Sequence, residues 1–130
     1  MYLLDTNSLI YFFKGMGNVA NNLFANSPKD IYVPSIVVYE LEVGIAKSNN
    51  PKKRQEQLHQ LLSEIEVIDF SYKEAKEAAK IRASLERIGN PIGPIDTLIA
   101  GMARANNLIL VTHNTKEFAK VKGLKVEDWF

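Results

Sequence analysis

The sequence predicts an α/β fold: a three-layer α/β/α domain on a mostly parallel five-stranded sheet. Two observations carry that expectation. Short apolar runs of strand length alternate with longer stretches of helical pattern along the chain, and strands separated by helices imply a parallel sheet covered on both faces. The first run, Tyr2-Leu3-Leu4, halts on Asp5, followed by Thr6 and Asn7, which favour a helix start. In an open parallel sheet, ligands bind outside the carboxyl ends of the strands, which is where Asp5 would sit.

In chain order, Tyr2 to Leu4, Ile31 to Val33, Glu66 to Ile68, Leu108 to Val111 and Leu124 to Val126 read as strands. Helices are expected at about 7–13, 18–26, 35–46, 52–64, 72–88, 94–106 and 115–120. Pro34-Ser35 opens the third helix, with Ser35 suited to capping. Ser71-Tyr72-Lys73-Glu74 is a capping box, and Gly89-Asn90 ends the helix it begins. Pro94 suits a first helical position, with Ala100, Met102 and Ala103 continuing an apolar body. No repeat, linker or low-complexity segment interrupts the pattern, so residues 1–130 are expected to form one domain.

Composition narrows the function classes. With 46% hydrophobic and 24% charged residues, the chain has the balance of an ordinary globular protein. Sixteen basic residues against fifteen acidic ones give a net charge of +1, which excludes a strongly basic nucleic-acid binder but not a local basic patch. Without cysteine there is no disulfide, thiolate nucleophile or Cys-type zinc site. No basic leader and no long apolar run indicate secretion or a membrane span, so a cytoplasmic protein is expected.

Three acids stand in apolar settings: Asp5 after Leu3-Leu4, Glu40 within Ile36-Val37-Val38-Tyr39-Glu40-Leu41, and Asp96 within Pro94-Ile95-Asp96-Thr97-Leu98. Carboxylates are rarely buried unless paired or bound to metal, and three such acids suggest a shared counter-ion. If the strands run parallel, these positions converge on one rim of the sheet. Several carboxylates with no His or Cys cluster form a hard oxygen site suited to Mg²⁺, or Mn²⁺ in its place, rather than zinc. Such ions activate water and neutralise phosphate charge, the chemistry of phosphodiester hydrolysis.

Each acid also has a plainer reading. Asp5 could only cap the helix beginning near Asn7, and Asp96 could only complement the helix dipole. Glu40 competes with Glu42, which points to nearly the opposite side at 3.6 residues per turn. Gly44, one turn beyond Glu40, leaves room beside it and favours Glu40. A fourth segment, Thr112-His113-Asn114-Thr115-Lys116-Glu117, also runs from a strand end into a helix. Asn114 and Glu117 have the spacing of a cap, or could complete the metal's outer coordination or position water. His113 reads as a surface residue or a neighbour of the ligands, because one histidine does not make a metal site.

Taken together, these segments resemble PIN-domain ribonucleases, and closely the VapC toxins of toxin–antitoxin pairs. The resemblance rests on Leu4-Asp5-Thr6-Asn7, on Ser35 to Leu41 with Gly44, and on Ile92-Gly93-Pro94-Ile95-Asp96 with Ile99-Ala100. It continues through Thr112-His113-Asn114 with Glu117-Phe118 and ends on Val126-Glu127-Asp128-Trp129. The family's three acids fall on Asp5, Glu40 and Asp96, which decides between Glu40 and Glu42. Many PIN domains carry a fourth aspartate where this chain has Asn114, and Glu117 is then the candidate substitute. Thr6 and Thr112 fall on hydroxyl positions expected to orient the acids or a water.

The resemblance implies an Mg²⁺-dependent endoribonuclease that hydrolyses RNA to a 5′-phosphate and a 3′-hydroxyl. It also implies a homodimer and a VapB-like antitoxin whose tail lies across the groove. Lys52, Lys53 and Arg54 are candidate RNA-phosphate contacts, since a basic run opening a helix opposes the macrodipole and suggests another use. Two other functions compete. One is a housekeeping PIN nuclease in RNA processing. The other is an Mg²⁺-binding receiver-like signalling domain, which would want adjacent acids after the first strand and a lysine after the strand ending Val111-Thr112. The chain has neither.

Overall fold

A computed structural model describes residues 1–130. Five strands form one sheet in the order β3-β2-β1-β4-β5, every pairing parallel. They are β1 (Tyr2–Leu4), β2 (Ile31–Pro34), β3 (Glu66–Ile68), β4 (Ile109–Val111) and β5 (Val126–Glu127). Seven α-helices join them: α1 (Thr6–Lys14), α2 (Val19–Phe24), α3 (Ser35–Lys47), α4 (Pro51–Leu62), α5 (Tyr72–Arg87), α6 (Pro94–Ala105) and α7 (Thr115–Phe118).

Successive side chains of a strand point to opposite faces of its sheet. Leu3 and Leu4 in β1, and Leu110 and Val111 in β4, are all fully buried. Both faces of the central strands are therefore covered, as three layers require. The helices pack in two groups, with α1 against α2 and α3, α3 against α4, and α5 against α6.

Some boundaries differ from the sequence expectation. The fourth strand starts at Ile109 rather than Leu108, and the fifth is Val126–Glu127 rather than Leu124 to Val126. A 3₁₀ turn over Pro28–Asp30 precedes β2. Ser35 does not cap α3: the sheet pairing runs on to Pro34, which takes the cap position, and Ser35 becomes the first helical residue.

The strand order fixes where a site can form. From β1 the chain moves to β2 and β3 on one side, then crosses to β4 and β5 on the other. The reversal lies between β1 and β4, and such switch points open a crevice at the strands' carboxyl ends. Leu4 pairs with Val111, and the Asp5 amide donates to the Val111 carbonyl at 3.1 Å. The two strands thus end level, with Asp5 and Thr112 next in line.

Candidate active site

Asp5 occupies the N-cap of α1 with extended backbone, and its carboxylate accepts the Ser8 amide at 2.9 Å. The Ser8 hydroxyl donates to the Val111 carbonyl at 3.2 Å, tying the start of α1 to the end of β4. Asp5 is therefore a helix cap that also lines a pocket shared with other acids. It is only 5% exposed, and this burial pushes its carboxyl above the ordinary aspartate range. The buried Thr112 hydroxyl and the Ser8 groups work against that rise, while the Glu40 charge adds to it.

Glu40 lies on the second turn of α3, where it accepts a hydrogen bond from the Thr6 hydroxyl at 2.5 Å. Glu42 is exposed and meets Gln55 instead, at 3.4 Å. Asp96 sits in the first turn of α6, behind Pro94 at the helix start. Its carboxyl is raised by burial and then by the charges of Asp5, Glu40 and Glu117. An added Cβ at Gly93 would stand 3.8 Å from the Asp96 carboxylate, so the loop before α6 passes close to the acid.

Asp5, Glu40 and Asp96 share the wall of one pocket of about 270 Å³, together with Thr6, Asn7 and Gly93. No cationic side chain lines it. The potential donors are carboxylate, hydroxyl and amide oxygens, without sulfur or imidazole, and such a set fits a hard divalent cation. The three carboxylates are not drawn to a common point, and no three acidic or histidine side chains stand close enough to hold one ion. Like charges separate, and Glu40 is turned onto Thr6.

The segment after β4 behaves differently from its cap-like spacing. Asn114 is exposed and its side chain makes no cap; its backbone N–H donates to the Thr112 hydroxyl at 3.0 Å. Glu117 faces Lys120 at 3.4 Å and adds its charge to the cluster around Asp96. Neither residue lines the acidic pocket. His113 lies on the surface, stacked on Phe130 with ring centres 4.2 Å apart and paired with Asp128 at 2.9 Å. Of the basic run, Arg54 lines a groove beside Glu40, whereas Lys52 and Lys53 are exposed and line neither cavity that Glu40 borders.

Two residues at the site escaped the sequence reading. Asn7 lines the pocket, and its place two residues after Asp5 was a usable signal. Ser8 is buried and braces Asp5, but its hydroxyl partner lies in β4, which only the strand order brings near.

A PIN-domain family model matches residues 2–124. The tRNA(fMet)-specific endonuclease VapC of Shigella flexneri is 38% identical over 128 residues, which are 98% of this chain and 97% of that one. Ribonuclease VapC2 of Rickettsia felis is 40% identical, covering 99% of this chain and 98% of the relative. In the crystal structure of DNA-bound VapBC from Salmonella typhimurium, one chain superposes with a TM-score of 0.93 at 34% identity, covering 99% of this chain and 98% of that one.

Proposed function

The chain belongs to the PIN-domain family, among its VapC ribonucleases, and from that premise we propose that it is an Mg²⁺-dependent endoribonuclease, the toxin of a toxin–antitoxin pair. The observation that carries this reading is the single pocket at the sheet's switch point, walled by Asp5, Glu40 and Asp96 with no cation among its side chains.

Asp5, Glu40 and Asp96 are the residues that would hold the ion. A bound divalent cation supplies charge neutralisation at the phosphate and acidification of water. The chain's own groups do the positioning. Ser8 and Thr112 fix the Asp5 carboxylate, and Thr6 orients Glu40. The amino end of α6 presents Asp96 where the helix's positive end also favours an incoming phosphate. Glu117 stands in for the family's fourth aspartate by adding negative charge around Asp96.

RNA is the substrate class, and initiator tRNA is the first substrate to test, because the Shigella flexneri relative is named for tRNA(fMet). A VapB-like antitoxin is the partner, by analogy with the Salmonella typhimurium VapBC complex, and the toxin itself is a homodimer. Sedimentation of the chain alone, and of the chain coexpressed with a candidate VapB-like antitoxin, tests both assemblies. The test of activity is cleavage of initiator tRNA with Mg²⁺, repeated in excess chelator and with Asp5→Asn and Asp96→Asn, each checked by circular dichroism. The wild type should cleave only with Mg²⁺, and both folded variants should be inactive. Cleavage that survives the chelator sinks the metal mechanism.

A further inference from the structure

Beside the acidic pocket lies a second cavity of about 290 Å³ between α1, α3 and α4, and Glu40 is part of both walls. Phe13, Leu41 and Leu58 supply apolar surface. Lys14, the last residue of α1, and Arg54, on the first turn of α4, bring positive charge. Neither cation is engaged in an ion pair; Arg54 has only the Gln57 amide oxygen, at 3.4 Å. Gly44 keeps the wall open: a Cβ there would meet nothing within 4 Å.

Resting on the nuclease reading above, we propose that this groove is the subsite for the nucleotide next to the scissile bond, with Lys14 and Arg54 holding its phosphate. Three carboxylates repel a polyanion, and a net charge of +1 gives little long-range attraction. Local cations must therefore hold the strand in place. The only two cationic side chains in either cavity lie in this one, at the acids' edge. The apolar surface between them suits a base or ribose face, since single-stranded RNA is commonly held by its unstacked bases together with its phosphates. The volume is at the small end of ligand pockets, which suits one nucleotide better than a helix of a partner protein. Lys14 was not anticipated from sequence, and Arg54 is singled out from its run by reaching this groove.

The test uses the full chain with labelled initiator tRNA, measuring binding by anisotropy in chelator and cleavage with Mg²⁺. Lys14→Gln and Arg54→Gln should each weaken binding by about tenfold, as expected for a lost charge-assisted contact. Each should flatten the log–log salt dependence by about 0.7, the single-strand value per phosphate contact. In cleavage the loss should appear in KM, with kcat within about twofold, because neither group reaches the acids. Gly44→Leu should raise KM in the same way by filling the groove, and its fold is favoured by removing a helical glycine. Lys76→Gln, on the exposed side of α5, removes the same charge elsewhere and should leave binding unchanged. Losses no larger than in Lys76→Gln overturn the subsite. So does unchanged tRNA binding with weakened inhibition by the coexpressed antitoxin, which would give the groove to the protein partner. A wild type that binds tRNA through these residues but never cleaves it would refute the nuclease reading and leave the groove's RNA contact standing.

Discussion

Asp5 joins two roles that are usually weighed against each other. Its carboxylate caps α1 through the Ser8 amide and also faces Glu40 and Asp96 across a pocket. A buried acid beside two others raises its own proton affinity, and the same holds for Asp96. The folded state then binds protons more readily than the unfolded chain, so stability falls as pH rises from the ordinary value of 3.8 through the raised one. Above the raised value the cost is fully present. In chelator at pH 7, Asp96→Asn should therefore melt higher than wild type, and the gap should close as pH falls toward 4; calorimetry across that range checks it. Glu40 and Glu42 allow a sharper contrast. Glu40→Gln should lose about 10–100-fold in tRNA cleavage, as for other groups that support a metal site. Glu42→Gln should stay within about twofold, since the side chains diverge by about 200°. Equal losses would refute the assigned register of α3.

At the scale of elements, the hairpin of α5 and α6 depends on close backbone approach. A Cβ on Gly101 would stand 2.6 Å from the Ala78 Cβ and 2.8 Å from its backbone. Gly101→Ala should destabilise the protein by about 1–3 kcal/mol through overpacking, measured by urea titration. The same two helices are pinned by Glu74. It accepts the Ser71 amide at 3.0 Å and the Ser71 hydroxyl, and takes the Asn106 amide group at 2.9 Å from the end of α6. These bonds, the Ser71 hydroxyl first, lower its pKa from 4.5 to about 2. Its contribution is thus present above pH 4.5 and lost as pH falls toward 2. Glu74→Gln should flatten that part of the acid-denaturation curve, and an unchanged curve would refute the assignment. The Ser71 box was legible in sequence because every partner but Asn106 lies within four residues. The Asn114–Glu117 spacing promised a similar cap and failed, since the Asn114 backbone N–H goes to the Thr112 hydroxyl and Glu117 takes Lys120. Local spacing predicts local bonds only where no neighbour competes.

Across the whole molecule, the alternation of strands and helices was enough to anticipate a parallel sheet, and five carboxyl strand ends were enough to anticipate a rim. The order β3-β2-β1-β4-β5 was not legible, because each strand is two to four residues long and equally apolar partners were available. That order brings Val111 beside Asp5 and gives Ser8 its second partner. The acids themselves were legible one by one, since a carboxylate in an apolar setting needs an explanation. Lys14 was not: it ends a helix like many lysines, and only the packing of α1 on α3 makes it part of Glu40's surroundings. No helix is long and apolar enough to cross a membrane.

If Asp5, Glu40 and Asp96 form one site for a divalent cation, thermal melting across an Mg²⁺ titration will register it. An ion that binds the folded pocket and not the unfolded chain raises Tm with concentration. The wild-type Tm should climb, while Asp5→Asn combined with Asp96→Asn should give a flat line. A flat wild-type titration, or an equal rise in the double variant, would contradict the shared site and leave Asp5 as a helix cap, Asp96 as a first-turn acid and Glu40 as a partner of Thr6.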